Sequence, residues 1–196
     1  MARTAEVKRP DPLKLVPYAQ ARESIQLLDL GLVSGDSFLA RQIQRWTNGP
    51  YSHAMTFGWC LNVLMVAEST SPESRVVTAS SQVKASPGQI DVYRLRLEIL
   101  ALVDVSKAWE WLLRASGVDY PEIELVHDWR QIVLGEGGHH WPNSDEPDGV
   151  RRVCSGLVHA CWRVHGVPPI VERDCDAYPP TLADPGLVSY LFTLTN

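Results

Sequence analysis

The spacing of apolar residues changes once along the chain, near Asp104. Before it, short apolar runs bounded by turn formers predict strands: YSHAMTFGW (51–59), VLMVAE (63–68), SRVVTAS (74–80) and IDVYRLRL (90–97), the last alternating Ile90 and Val92 with Asp91 and Tyr93. Ahead of them, GLVSGDSFLARQIQRWTNGPYSH (31–53) opens on a Gly-Asp turn. It continues into a short helix with Phe38, Ile43 and Trp46 inward, stopped by Asn48-Gly49-Pro50. After Asp104 the period is helical. Val105, Ala108, Trp109, Leu112 and Leu113 form one stripe, with Asp104 as N-cap and Gly117 as stop. A second stripe, Leu125, Val126, Trp129, Ile132 and Val133, follows Pro121 and ends at Gly135. A third, Leu157, Val158, Cys161 and Trp162, is closed by Gly166 and Pro168-Pro169. Between them GEGGHHWPNSDEPDG (135–149) is too long for a simple connector and reads as a mobile flap or part of a site. Strands first and helices after, with no internal repeat, predict an α+β fold.

Two of the strands suggest a hairpin. A four-residue connection from Trp59 to Asn62 puts Phe57 opposite Leu64, Met55 opposite Val66 and His53 opposite Glu68, all on one face because side chains alternate along a strand. Opposed Cβ atoms are about 5 Å apart, within reach of a carboxylate–imidazole bond. A slip of one residue would send Glu68 to the other face. Taken alone, the pair also reads as a satisfied strand histidine beside a solvated carboxylate.

Composition narrows the partners. The 196 residues suit one domain, with a core hiding roughly 70% of the unfolded surface. With 18 basic and 23 acidic residues the formal charge is -5, which argues against nucleic acid as a partner. The leader MARTAEVKRPDPLKLVPYAQ lacks a continuous apolar stretch, and no window approaches the roughly 20 apolar residues of a membrane span. The expectation is a soluble, unprocessed chain without an integral membrane segment, cytoplasmic as synthesised. Residues 1–20 are expected as an N-terminal arm, mobile or serving to dock a partner, and 21–196 as the folded domain. Cys60, Cys154, Cys161 and Cys175 show neither Cys-x-x-Cys spacing nor disulfide-scaffold density, so reduced thiols are expected.

Among these thiols Cys154 stands out, because its helical stripe begins three residues later. A helix N-terminus or a cationic imidazole favours the reactive thiolate. Gly156 permits close backbone approach, and amides at Ser155 and Gly156 could hold an oxyanion. Glu68 would orient His53, His53 would take the thiol proton, and Cys154 would attack a carbonyl. Cys161, between Val158 and Trp162, reads as core. His127-Asp128, His159 and His165 read as helix-surface residues. His139, His140 and Trp141 form a solvated loop or a substrate-contacting flap; no ligand spacing supports a metal site, and no cofactor is expected. Arg151 and Arg152 are either solvated charges or binders of a substrate carboxylate or phosphate.

At this point the residues resemble a known family. CSGLV (154–158) is similar to the cysteine motif of NlpC-type cell-wall cysteine peptidases, and YSHAMTFGW resembles their histidine strand. The histidine precedes the cysteine, as in the circularly permuted, YiiX-like branch of the papain-like superfamily, to which lecithin-retinol acyltransferase also belongs. GDSFLARQIQRWTNGPYSH, VAEST, GVDYP and YPPTLADPGLV resemble further landmarks of that branch in the right order, over Leu30 to Leu191. The Gly-His-His loop departs from the pattern. The resemblance implies a papain-like core, an antiparallel sheet packed against helices with the nucleophile at a helix N-terminus. It carries over Cys154 as nucleophile, His53 as base and Glu68 as orienter. Ser155, Gly156, Tyr51, Ser52, Arg152 and His140 are the candidate substrate or oxyanion contacts.

The expected chemistry is a thiol hydrolase acting through a thioester on amide bonds, with peptidoglycan stem peptides as the expected substrate and delivery to the wall or within a virion. The alternatives are a lipid acyltransferase or thioesterase of the same fold, and an inert structural or binding module of a larger assembly, for example of a phage. The partner is thus a peptide-like or acyl substrate.

Overall fold

The computed structural model describes residues 7–87, 89–121 and 143–196, and within them the short apolar runs lie side by side in one mixed sheet of seven strands. In chain order these are β1 (Leu15–Pro17), β2 (Leu30–Val33), β3 (His53–Cys60), β4 (Val63–Ser69), β5 (Ser74–Thr78), β6 (Ile90–Leu95) and β7 (Val188–Thr195). They are ordered β1-β7-β6-β2-β3-β4-β5, antiparallel throughout except for the parallel pair of β1 and β7. The helices are α1 (Tyr18–Ala21), α2 (Phe38–Trp46), α3 (Ala79–Ala85), α4 (Leu97–Leu100), α5 (Val105–Arg114) and α6 (Cys154–Val164). The stripe expected over 125–133, with His127 and the His139-His140-Trp141 run, lies outside the described residues.

Strand alternation sorts the core into two sides. Met55 and Phe57 of β3 join Val33, Leu64, Val66, Ile90 and Val92 under Ala79 and Val83 of α3. Ala54 faces the other way, with Leu30 and Leu32, towards Val158 and Trp162 of α6. A third cluster, Ala67 with Trp109, Leu112, Leu157 and Cys161, ties α5 and α6 to that same side. Gly58 makes room there: a Cβ on it would stand 2.4 Å from the Trp109 ring.

Several expectations shift. The hairpin turns on two residues, not four: Cys60 pairs with Val63, Trp59 with Leu64 and Phe57 with Val66. Leu61 (φ 45°) and Asn62 (φ 65°) both take the left-handed conformation that a tight hairpin turn requires. The register therefore moves by two residues, which leaves every side chain on its expected face. In α2, Phe38 is 73% exposed and Ala40 is the buried residue, because the helix touches the domain along a different stripe. Asp104 does cap α5, accepting from the Lys107 N–H at 3.1 Å, but Trp111 is buried and Leu113 half out. The described part of the stretch expected as a mobile or docking arm lies along the sheet: β1 pairs with β7, and Arg9 donates to the fully buried Asp91 at 2.7 and 2.9 Å.

Candidate active site

His53 opens β3, and alternation sends its imidazole to the side covered by α3. Glu68 stands on that side of β4. Because Thr56 pairs with Ala67, Glu68 lies across from Met55 and reaches His53 along the diagonal. The bond forms, His53 Nε2 to Glu68 Oε2 at 2.7 Å. Cys154 arrives from the opposite side, as the first residue of α6. The two sides meet where the sheet opens: β3 and β4 cease to pair beyond Thr56–Ala67, and the Ala54 N–H is directed at the Cys154 sulfur. The Ser155 N–H joins it there, and the sulfur shares a hydrogen bond with His53. Nε2 being engaged by Glu68, Nδ1 is the ring nitrogen left for the thiol. The chain before α6 is held in place by the Ser69 hydroxyl, which donates to the Arg152 carbonyl.

Glu68 is itself locked. It is 2% exposed, and its second oxygen accepts from Arg75 Nε (2.9 Å), Arg75 Nη2 (2.7 Å) and Gln82 Nε2 (2.7 Å). Arg75 is its cross-strand partner on β5, and Gln82 comes from α3. Burial alone would push the Glu68 carboxyl up, but the bonds from His53 and Arg75 outweigh it and hold the group below the usual carboxylate range. Burial likewise opposes a charged His53; the sulfur's negative charge and the bond to Glu68 prevail and raise the imidazole pKa. For Cys154 burial favours the thiol, yet the imidazolium and the amides of Ala54 and Ser155 reverse that and lower its pKa. The favoured pair is thiolate and imidazolium, with a fixed carboxylate behind.

The remaining sequence candidates divide. The Ser155 amide faces the sulfur, while its hydroxyl donates to the Ala177 carbonyl at 2.6 Å. At Gly156 the close approach is to the protein's own chain: a Cβ there would lie 3.1 Å from the Asp174 carbonyl oxygen. Tyr51 is fully buried, its hydroxyl bonded to Asp91 (3.0 Å) and Tyr93 (2.6 Å), which removes it from the substrate contacts. Ser52 bonds the Val33 carbonyl and the Gly35 N–H, both at 3.3 Å. Arg152 is no solvated charge: 4% exposed, it donates to the carbonyls of Ser144, Glu146 and Val150 and covers the Trp111 ring. It shapes the approach to α6, with both terminal nitrogens engaged by main-chain carbonyls. His140 lies outside the described residues.

His159 is also corrected, from helix surface to interior. It is 1% exposed, with Nδ1 bonded to Asp174 at 2.8 Å, because α6 is enclosed by the sheet, α5 and the 174–176 turn together. His165 sits half-buried at the C-cap of the same helix. Cys161 is core, its thiol pushed up by burial. The sequence reading overlooked Arg75, Gln82 and the Ala54 amide. Arg75 becomes readable only once Ser69 is paired with Ser74, and an amide carries no side-chain signal at all.

No protein-family model and no curated protein matches the chain. Among solved structures it is similar to one described as metalloprotein YiiX from Escherichia coli O157:H7, DUF1105, with a TM-score of 0.60 and 14% identity over 88% of this chain and 99% of that one. The likeness is one of fold: this chain has a YiiX-like α+β architecture, a mixed seven-stranded sheet packed against helices.

Proposed function

We propose that this protein is a thiol-dependent hydrolase with a papain-like arrangement of Cys154, His53 and Glu68, cutting amide bonds in peptidoglycan stem peptides. One observation carries the reading: a thiol at a helix N-terminus, shifted towards thiolate by an imidazole that a buried, fourfold-bonded carboxylate orients. The thiolate adds to the amide carbonyl carbon, and the oxyanion forms beside the amides at the start of α6. Protonated His53 delivers its proton to the amine as the C–N bond breaks, leaving a thioester on Cys154. Water, deprotonated by His53, then adds to the thioester and expels the thiolate. Neither step needs a cofactor.

The description metalloprotein belongs to YiiX. Among the described residues here, no group of three or more His, Cys, Asp or Glu side chains is placed to hold a metal ion, and Glu68 has its oxygens filled by protein donors. These described residues do not fit a metal.

The same three groups would also serve transfer or hydrolysis of a lipid acyl ester, so the substrates are separated by products. Purified protein is incubated with digested cell wall and, in parallel, with phospholipid, followed by mass analysis. Cleaved stem peptides that disappear with Cys154→Ala are expected. Fatty-acid release alone would move the assignment to the lipid reading, and unchanged turnover by Cys154→Ala would end both.

A further inference from the structure

Helix α2 carries a face that is left uncovered among the described residues. Phe38, Arg41 and Arg45 recur at the i, i+3, i+7 spacing of one helical stripe, and all three are exposed, Phe38 by 73% and its neighbour Leu39 by 57%. The flank of the helix next to this stripe is pinned: the Gln44 amide donates to the carbonyls of Gly35 (2.9 Å) and Pro50 (3.0 Å). The exposed stripe is therefore held in one orientation. Beside it runs an open groove lined by Lys8, Arg41, Gln44, Arg45 and Asn48. Arg9, which also lines the groove, is engaged by Asp91; among the described residues Lys8 and Arg45 have no acidic partner, and Arg41 donates to the Asp36 carbonyl. Asp36 is the sole acidic residue from Ser34 to Pro50, so the patch is locally cationic on a chain of formal charge -5.

We propose that this face docks onto an anionic lipid bilayer, with Arg41, Arg45 and Lys8 against phosphate-bearing headgroups and Phe38 and Leu39 in the interfacial layer. A soluble polyanion would call for cations alone. A large apolar side chain on the same stripe, with exposed Leu39 next to it, selects an interface, where leaving water and meeting headgroup charge reinforce one another. The patch also lies close to the candidate active site along the chain. Gly35, in the loop leading to α2, bonds Ser52 at 3.3 Å, and Val33 pairs with His53. Docking would bring that end of the sheet to the surface. The inference rests on the helix face and not on turnover by Cys154.

The test uses the full chain carrying Cys154→Ala, so that chemistry plays no part. It is sedimented with vesicles of phosphatidylcholine alone or mixed with phosphatidylglycerol. Binding to the mixed vesicles only, weakening as salt rises, is expected. The pair Arg41→Ala with Arg45→Ala should weaken it about thirtyfold, and Phe38→Ser about tenfold. Leu97→Ser, at another apolar residue that is 78% exposed, should change nothing. Equal binding to neutral vesicles, no binding to either, or unaltered binding by the α2 variants overturns the proposal. Heparin binding as tight as vesicle binding and indifferent to Phe38→Ser would assign the face to a soluble polyanion instead. Thermal melts check that each variant is folded.

Discussion

Cys154 and Cys161 lie two turns apart on one helix, both buried, and their thiols shift in opposite directions. Burial acts alike on the two; only Cys154 has an imidazole and two amides facing it. Alkylation rates against pH therefore separate them. Cys154 should react with a midpoint below that of a free thiol, while Cys161 stays unlabelled in the folded protein. Lowering the pH protonates the thiolate and slows the reaction, but only below that depressed value. In His53→Ala the opposing charge is gone, burial dominates, and the profile should move up past the ordinary thiol range. A profile unchanged by His53→Ala would remove the imidazole from the account. At this scale the sequence exposes the thiol at the helix mouth and the histidine, since both are side chains. Arg75 and Gln82 stayed hidden because each meets Glu68 only through strand or helix placement.

The hairpin between β3 and β4 shows what local patterning decides. Alternation assigns faces, and a two-residue shift preserves faces, so His53 and Glu68 share one in the expected register and in the observed one. The turn itself carries no Asn-Gly signature, yet Leu61 and Asn62 both adopt positive φ. Leu61 is 94% exposed, so its side chain contributes little packing while its backbone is held where branched and bulky residues are disfavoured. Leu61→Asn should stabilise the protein by about 0.5–1 kcal/mol, read as a rise in Tm. A fall would mean that Leu61 has a packing role the turn geometry does not explain. Helix α2 makes the complementary point: its period was legible, but which stripe faces the domain was set by the Gln44 bonds to Gly35 and Pro50.

On the scale of the whole molecule, the first described residues are bound into the domain. Arg9 reaches Asp91, fully buried among Tyr51, Thr193 and the sheet, and β1 adds a parallel strand beyond β7. Arg9→Ala leaves that carboxylate without its cation and should cost about 3 kcal/mol in denaturant unfolding. Faster proteolysis across 10–20 should accompany it; a variant as stable and as resistant as the parent would show that β1 holds without the ion pair. By itself the sequence determined the α+β class, four of the seven strands (β3 to β6), the capped helix at Asp104, and the pairing of His53 with Glu68 on one face. These depend on alternation, helical period and residue type, which are local. The tertiary structure alone decided that α3 and α6 cover opposite sides of the sheet, that β3 and β4 part beyond Thr56–Ala67, and that the Cys154 sulfur meets His53 in that opening. It also decided that His159, Tyr51 and Arg152 are spent on the interior. Such outcomes depend on contacts between segments far apart in the chain, where the partner of a side chain is set by packing and not by its neighbours in sequence.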